Sequence, residues 1–206
     1  MVDDIYLFFY GSMVNKHSRT HTIKKTTKGI PVVIKQIDYK CSYNFSSNRN
    51  TNSTRFTVLG LTKSNKRHTI PGIVVKVSKQ ALEHAKKREK NYRLLDISDK
   101  SITPYHTSQP MNRSLPIYTF IKDSSCSSQP HIHTNYYLDL TISGFLEYGE
   151  DFARLFFKHC SSLPSHSNTF TKWKRDLKKR FISSPYQGYF PEFLQNLRHL
   201  KKNYRK

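Results

Sequence analysis

The architecture of this chain is best predicted from the segment Ile5-Tyr6-Leu7-Phe8-Phe9-Tyr10-Gly11-Ser12-Met13. A run of apolar and aromatic residues of this length predicts a buried β-strand. The strand should end at Gly11, because glycine tolerates the tight turns that other residues resist. Such a turn can leave backbone N–H groups free to hold an anion, so Gly11, Ser12 and Met13 form a candidate binding loop.

Strands and helices can be predicted outward from this segment by the spacing of apolar residues and by capping residues. Ser78 is the expected N-cap of a helix over Lys79–Arg88. The expected strands are Ile5–Tyr10, Gly29–Ile37, Tyr39–Phe45, Arg55–Leu61, Ile73–Val77, Tyr92–Ile97 and Ile117–Ile121. We further expect a helical turn at Asn15–Thr20, a turn at Lys63–Thr69, a loop at Asp99–Pro116, a long helix from about Asn135 to Cys160 with Gly149 as its candidate break, and a last helix over Pro191–Lys202.

This order of elements predicts the α+β class. We expect a small, mixed, mostly closed β-sheet or barrel with flanking helices. Residues 1–160 are expected to form this domain, and residues 161–206 a basic C-terminal helical extension.

The charge of the chain is extreme, with 35 Lys and Arg against 14 Asp and Glu and a net charge of +21. Such a charge favours acidic partners, including nucleic acid and anionic membranes. Basic residues are spread along the whole chain, which is typical of a solvated surface, but they are denser near its end. Nucleic-acid binding through the tail, with Lys172-Trp173-Lys174-Arg175 as its best local candidate, is therefore kept as an alternative.

The cysteines indicate a reducing compartment. Cys41, Cys126 and Cys160 are odd in number and widely spaced, which argues against a disulfide framework and a zinc ribbon. The apolar run near the N-terminus is too short for a signal peptide or a membrane span, and no longer run occurs elsewhere. We therefore expect a cytoplasmic protein without membrane association.

Two groups of polar residues are candidates for chemistry. Glu89 follows the predicted helix and could exchange a proton with a small zwitterionic substrate if the fold brings it to the Gly11 loop. The alternative is a solvated glutamate that pairs with neighbouring Arg88 or Lys90. His131 and His133 could supply two metal ligands on one strand face, but no matching carboxylate or cysteine accompanies them, so we expect no metal site.

Several short motifs, taken together, are similar to those of one enzyme family. Tyr10-Gly11-Ser12-Met13 resembles that family's Tyr-Gly-Ser signature, and Arg88-Glu89-Lys90-Asn91-Tyr92 resembles its Arg-Glu-x-x-Tyr segment. The remaining similar segments are Ser18-Arg19-Thr20, Ile30-Pro31-Val32, Val58–Leu61, Pro71–Val77, Tyr136–Leu140 and Ser143–Gly149. In this order and spacing, the chain resembles the γ-glutamylcyclotransferase superfamily, including its glutathione-degrading branch, from about Ile5 to Phe157.

The resemblance implies an activity. Family members let the α-amine of a γ-glutamyl group attack its own γ-carbonyl, which releases an amine and forms 5-oxoproline. The substrate would be a γ-glutamyl amino acid, a γ-glutamylamine or glutathione, and the family's catalytic glutamate corresponds to Glu89. No metal or organic cofactor is required.

The residues around the loop fit this chemistry. Backbone amides at Gly11, Ser12 and Met13 could bind the α-carboxylate or the developing oxyanion. Tyr10, Tyr92 and Tyr137 could orient the substrate through their hydroxyls, with simple packing as the alternative for each. A catalytically silent binding module is the other alternative, although the presence of Glu89 and the glycine loop argues against it.

Overall fold

A computed structural model of the chain describes residues 4–24, 28–46, 57–90, 92–106, 110–122, 135–165 and 168–182. The strands are β1 (Ile5–Phe9), β2 (Ile30–Ser46), β3 (Thr57–Val77), β4 (Arg93–Asp96), β5 (Ser101–Pro104) and β6 (Ile117–Ile121). The helices are α1 (Lys16–Ile23), α2 (Lys79–Arg88), α3 (Asn135–Leu146), α4 (Glu150–His159) and α5 (Phe170–Ile182). The predicted α+β class is confirmed.

The six strands form one mixed sheet in the order β4-β6-β1-β3-β2-β5. Strand β1 lies inside it, antiparallel to β3 and parallel to β6. Every residue of β1 is buried. A strand that is covered on both faces needs a continuous apolar sequence rather than an alternating one, which is what Ile5–Phe9 provides.

The sheet is open, so the expectation of a mostly closed sheet or barrel is wrong. Its outermost strands, β4 and β5, lie at opposite ends of the order, and no ladder joins them within the described residues. Each has only four residues, several of them exposed. Short, half-exposed strands of this kind are typical of sheet edges.

The expected turn at Lys63–Thr69 is also wrong, because β3 continues through it. The pairing of β3 with β2 jumps from Ile37 opposite His68 to Tyr39 opposite Lys63. Residues 64–67 therefore bulge out of the ladder. The polar pattern there marks an irregularity in an exposed part of the strand and not a reversal of the chain.

The helices follow the sequence more closely. Helix α2 has the predicted bounds, and Ser78 Oγ accepts a hydrogen bond from the Ala81 N–H at 3.4 Å. The expected long helix after residue 135 is broken into α3 and α4. Gly149 lies at the break with φ 115°, a conformation that favours glycine, so the candidate break is confirmed.

The start of α5 packs onto the rest of the molecule. Trp173 is fully buried, and its Nε1 donates a hydrogen bond to Asp139 Oδ1 in α3 at 2.6 Å. Phe170 and Phe157 of α4 surround the indole ring. The division at residue 160 stays a prediction, and the expected helix over Pro191–Lys202 lies outside the described residues. Within the described ranges, no helix is long and apolar enough to cross a membrane.

Candidate active site

A cleft of about 40 Å³ opens where β1 ends. Its walls come from β1 and the loop after it, from β3 and β6, from the end of α2 and from α3. The lining residues are Phe8, Phe9, Tyr10, Gly11, Ser12, Met13, Leu59, Glu89, Tyr92, Phe120 and Tyr137. The structure thus brings all seven predicted site residues together, although they come from three distant parts of the sequence. The chemical role of each one stays a prediction.

The loop after β1 is a single 3-10 turn over Ser12–Val14. The Val14 N–H donates to Gly11 O at 2.9 Å, and the Asn15 N–H donates to Ser12 O at 3.2 Å. Asn15 then caps α1 by accepting from the Ser18 N–H at 3.0 Å. The chain therefore changes directly from strand to turn to helix, which holds Gly11, Ser12 and Met13 at the cleft.

Arg19 stabilises this loop by hydrogen bonds to its main chain. Its side chain is buried, and its Nη1 donates to Met13 O at 3.0 Å and to Val14 O at 2.7 Å. The guanidinium satisfies main-chain oxygens that the short turn leaves unused. The sequence singled out Arg19 only within the family resemblance, and its role depends on a helix packing beneath the loop.

Gly144 lets helix α3 approach the same loop. A Cβ at this position would lie 2.6 Å from the Val14 carbonyl carbon and would also collide with the backbone of Asn15. Asn15 Nδ2 donates to Ser143 Oγ at 3.0 Å across this contact. The glycine inside a helix is thus explained by close packing, and the packing brings Tyr137 of α3 to the cleft.

Glu89 is the residue that ends α2. Its N–H donates to Ala85 O at 2.9 Å, and its carbonyl accepts from the Tyr92 N–H at 2.8 Å. Its side chain is 22% exposed, which leaves the carboxylate partly shielded at the mouth of the cleft. The helix end and the turn after it therefore place one acid and one tyrosine beside the loop.

Arg88 connects Glu89 to the loop and to α1. Its Nε lies 3.3 Å from Glu89 Oε1, and its Nη2 donates to Ser12 Oγ and Ser18 Oγ, each at 3.1 Å. Its Nη1 donates to Ser18 O at 3.2 Å and also contacts Thr22 Oγ1. A planar guanidinium suits such a set of partners, which a lysine could not satisfy. No sequence signal pointed to this role beyond an arginine next to the candidate acid.

Two of the predicted tyrosines use their hydroxyl hydrogens within the protein. Tyr10 donates to Phe120 O at 2.8 Å, and Tyr92 donates to Leu59 O at 3.1 Å. Burial, followed by the neighbouring Tyr92, raises the pKa of Tyr10 well above its ordinary value. Toward a substrate, these hydroxyls offer an oxygen acceptor rather than a hydrogen.

Tyr137 lies against the loop itself. A Cβ at position 11 would lie 2.8 Å from the Tyr137 hydroxyl, so any residue larger than glycine would force Tyr137 to move. Burial, then the charge of Glu89, raises the pKa of Tyr137 to about 12, while hydrogen bonds with the Leu59 and Ser12 backbone oppose the rise. The Tyr137 hydroxyl therefore lies beside the loop, and the binding of an anion by the loop amides stays a prediction.

Comparison with solved structures identifies the architecture. A structure described as a γ-glutamyl cyclotransferase aligns over 86% of this chain and 99% of its own, with a TM-score of 0.55 and 14% sequence identity. This chain has the γ-glutamyl cyclotransferase fold. An uncharacterized human protein aligns over 73% of this chain and 86% of its own, with a TM-score of 0.52 and 15% identity. The family resemblance is thus confirmed at the level of the fold.

Other comparisons add less. A yeast γ-glutamyl cyclotransferase specific to glutathione aligns over 96% of this chain and 97% of its own at 15% identity, but its TM-score of 0.44 carries no argument about substrate. No family model matches the sequence, and no curated protein is similar to it. Similarity at these identities establishes the shared γ-glutamyl cyclotransferase fold and leaves reaction and substrate to be proposed from the cleft.

Proposed function

We propose that this protein is a cofactor-independent enzyme of the γ-glutamyl cyclotransferase type, which converts a γ-glutamyl amide into 5-oxoproline and a released amine. One observation carries the proposal: Glu89 and the Gly11–Met13 loop line the same cleft. The fold shared with a γ-glutamyl cyclotransferase supports it. The small-molecule partner is the γ-glutamyl compound.

The chemistry needs little more than positioning and one base. The substrate's α-nitrogen attacks its own γ-carbonyl carbon, so a C–N bond forms within a five-membered ring while the amide C–N bond breaks. Holding the reactive rotamer supplies much of the acceleration for an intramolecular reaction of this kind. Glu89 takes a proton from the α-ammonium and returns it to the departing nitrogen. After the attack the ring nitrogen still carries one extra proton, which Glu89 takes and passes to the released amine, so the amine leaves as an ammonium and the protons balance.

The size of the cleft supports recognition of the glutamyl half alone. Its volume has room for roughly three water molecules, which suits the end of a glutamyl group better than a whole tripeptide. The amine that leaves would then extend outward past Glu89. Glutathione, γ-glutamyl amino acids and γ-glutamylamines share the part that enters, so all three classes are candidate substrates.

Arg88 has a positioning role in this proposal. Its contacts to Glu89 and Ser12 hold the base and the loop in one arrangement. The Ser12 amide would form part of an anion site for the α-carboxylate or the developing oxyanion. The nearby Gly11 and Met13 complete that site.

Two broader expectations belong with the proposal. We place residues 1–160 in the catalytic domain. We place the reaction in the cytoplasm, because the cysteines are odd in number and widely spaced. The basic extension, residues 161–206, is then accessory to the reaction, and binding of nucleic acid by it stays an alternative.

A substrate panel tests the proposal. The purified full chain is incubated, without metal or cofactor, with glutathione, a γ-glutamyl amino acid and a γ-glutamylamine, and 5-oxoproline is quantified. An α-linked glutamyl dipeptide is the matched control, because its amine is unable to close the five-membered ring by expelling the amide. We expect 5-oxoproline from at least one γ-linked compound and none from the control. No 5-oxoproline from any γ-linked compound would contradict the proposal.

A further inference from the structure

Two cysteines that the proposed reaction does not use lie side by side in the core. Cys41 belongs to β2, and Cys160 directly follows α4. The Ser161 N–H donates to Cys41 O at 3.0 Å, and the Tyr43 N–H donates to Ser161 O at 2.9 Å. These two hydrogen bonds form a parallel bridge that pairs Ser42 with Ser161. Cys41 precedes Ser42 and Cys160 precedes Ser161, so the two cysteines lie opposite one another in this parallel pairing.

The side chains of the two pairs point to opposite faces. Ser42 Oγ and Ser161 Oγ are 2.6 Å apart on one face. Because side chains alternate along extended chains, Cys41 and Cys160 share the other face, which is the core. They are 3% and 9% exposed, and burial, followed by the neighbouring Cys41 thiol, raises the pKa of Cys160. Neighbouring strands lie about 4.8 Å apart, within the roughly 4.4–6.8 Å between Cα atoms that a disulfide spans.

We propose that Cys41 and Cys160 are a redox modification site that forms an internal disulfide on exposure to a low-molecular-weight disulfide. Cys160, the more exposed of the two, attacks the small disulfide as its thiolate, which forms at alkaline pH because burial raises the pKa of this thiol. The attack breaks the S–S bond of the small disulfide and releases one thiol. Cys41 then attacks the mixed disulfide at Cys160 Sγ and releases the second thiol. Two protein thiols are oxidised and one small disulfide is reduced to two thiols.

The two cysteines are close to tyrosines that line or contact the cleft. Cys41 is close enough to Tyr10 to raise the pKa of that tyrosine, although burial is the larger cause. Burial and, to a lesser extent, Cys160 raise the pKa of Tyr43. The Tyr43 ring stacks on Tyr137 at a centroid distance of 6.1 Å. The disulfide would join β2 to the end of α4 beneath these tyrosines. Its formation is independent of the proposed enzymatic activity, so the two can be tested separately.

Peptide mapping of the full chain tests the site. The reduced protein is incubated under native conditions at mildly alkaline pH with bis(2-hydroxyethyl) disulfide, alkylated in denaturant and digested. We expect a linked peptide pair that contains Cys41 and Cys160, lighter by two hydrogen atoms and separated again by a reductant. Free alkylation of both cysteines, separate mixed disulfides on each, or a link of either one to Cys126 would overturn the proposal.

Variants separate the two steps. Cys41→Ser should accumulate a mixed disulfide at Cys160, because the resolving thiol is absent, whereas Cys160→Ser should leave Cys41 largely unmodified. Cys126→Ser is the matched control and should retain the link. If the serine variants do not fold, alanine variants serve, and the mapping of the unsubstituted chain decides by itself. Equal modification of Cys41 in the Cys160→Ser variant would contradict the order of attack.

Discussion

Arg88 Nη2 donates a hydrogen bond to Ser12 Oγ at 3.1 Å and thereby joins the end of α2 to the loop after β1. The same guanidinium lies 3.3 Å from the Glu89 carboxylate. The candidate base and the candidate binding loop are thus held by one side chain, although they are far apart in the sequence. The positions of the base and the loop relative to each other therefore depend on this arginine.

Replacement of Arg88 by lysine tests this dependence. Lysine keeps the charge but loses the planar fork, so Ser12 and Ser18 lose their donors. We expect turnover of a γ-glutamyl substrate to fall by about 100-fold, as for a misplaced catalytic group. We also expect the free energy of unfolding to fall by about 1–3 kcal/mol. The exposed Lys87 in the same helix is the control, and Lys87→Ala should change neither quantity. Unchanged turnover in Arg88→Lys would remove Arg88 from the positioning role.

Gly11 and Tyr137 form a contact that a double substitution can test. A Cβ at position 11 would lie 2.8 Å from the Tyr137 hydroxyl, so Gly11→Ala should destabilise the protein by about 1–3 kcal/mol through overpacking. Tyr137→Phe removes the oxygen, so the double variant should recover most of the loss. Urea unfolding of the four proteins measures the coupling. Strictly additive effects would show that the two residues do not oppose each other in solution.

Trp173 reports on the docking of α5, because it is the sole tryptophan of the chain. Its indole is fully buried and donates to Asp139. We expect blue-shifted emission and weak quenching by acrylamide. Asp139→Ala should increase the quenching and lower the free energy of unfolding by about 1–3 kcal/mol, because the buried donor loses this acceptor. Asp99→Ala, at an exposed carboxylate, is the control. Strong quenching in the unsubstituted protein would show that α5 is detached.

Alkaline pH should destabilise the fold. Burial is the largest cause of the raised pKa values of Tyr10, Tyr43, Tyr137 and Cys160. The unfolded chain therefore loses these protons first, at ordinary values of 9.0 for cysteine and 10.0 for tyrosine. Stability is fully present below these values and is lost as the pH rises toward the raised folded values.

The slope of this loss can be assigned to single residues. Each such group contributes about 1.4 kcal/mol per pH unit between its unfolded and folded pKa. Urea unfolding above pH 10 should therefore depend less steeply on pH in Tyr43→Phe than in the unsubstituted protein. An identical slope in both proteins would contradict the assignment.

The sequence predicted elements whose determinants are local. Helix α2 was placed correctly because Ser78 caps it and Ala81 and Ala85 mark its buried face. Strand β1 was placed correctly because a long apolar run has few alternatives. Strand β5 was missed because Ser101–Pro104 is short and ends in proline, and it exists only by pairing with β2. The unbroken β3 was missed because Pro71 and Gly72 usually interrupt strands.

The candidate site likewise contains residues that the sequence predicted and contacts that it did not. The seven predicted residues were found because they form short motifs with a recognisable family pattern, and the structure places them in one cleft. The role of Arg19 was missed although its acceptors, Met13 O and Val14 O, are close in sequence. The role of Arg88 was missed because its partners come from the packing of separate elements. The contact between Arg88 and Ser12 spans 76 residues, and no local pattern encodes such a pairing. The contact of Tyr137 with the loop at Gly11 depends on how closely α3 approaches, which Gly144 permits.

The turnover of Glu89→Gln, measured as 5-oxoproline release from the best γ-glutamyl substrate, tests the account most directly. Glutamine keeps the shape of the side chain but accepts no proton, so turnover should fall by about 100- to 10,000-fold while the unfolding curve stays close to that of the unsubstituted protein. Glu83→Gln is the matched control, because Glu83 lies on the same helix, is 58% exposed and pairs with Lys86 at 2.8 Å. That variant should retain full turnover. Turnover by Glu89→Gln equal to that of Glu83→Gln would contradict the assignment of Glu89 as the general acid and base.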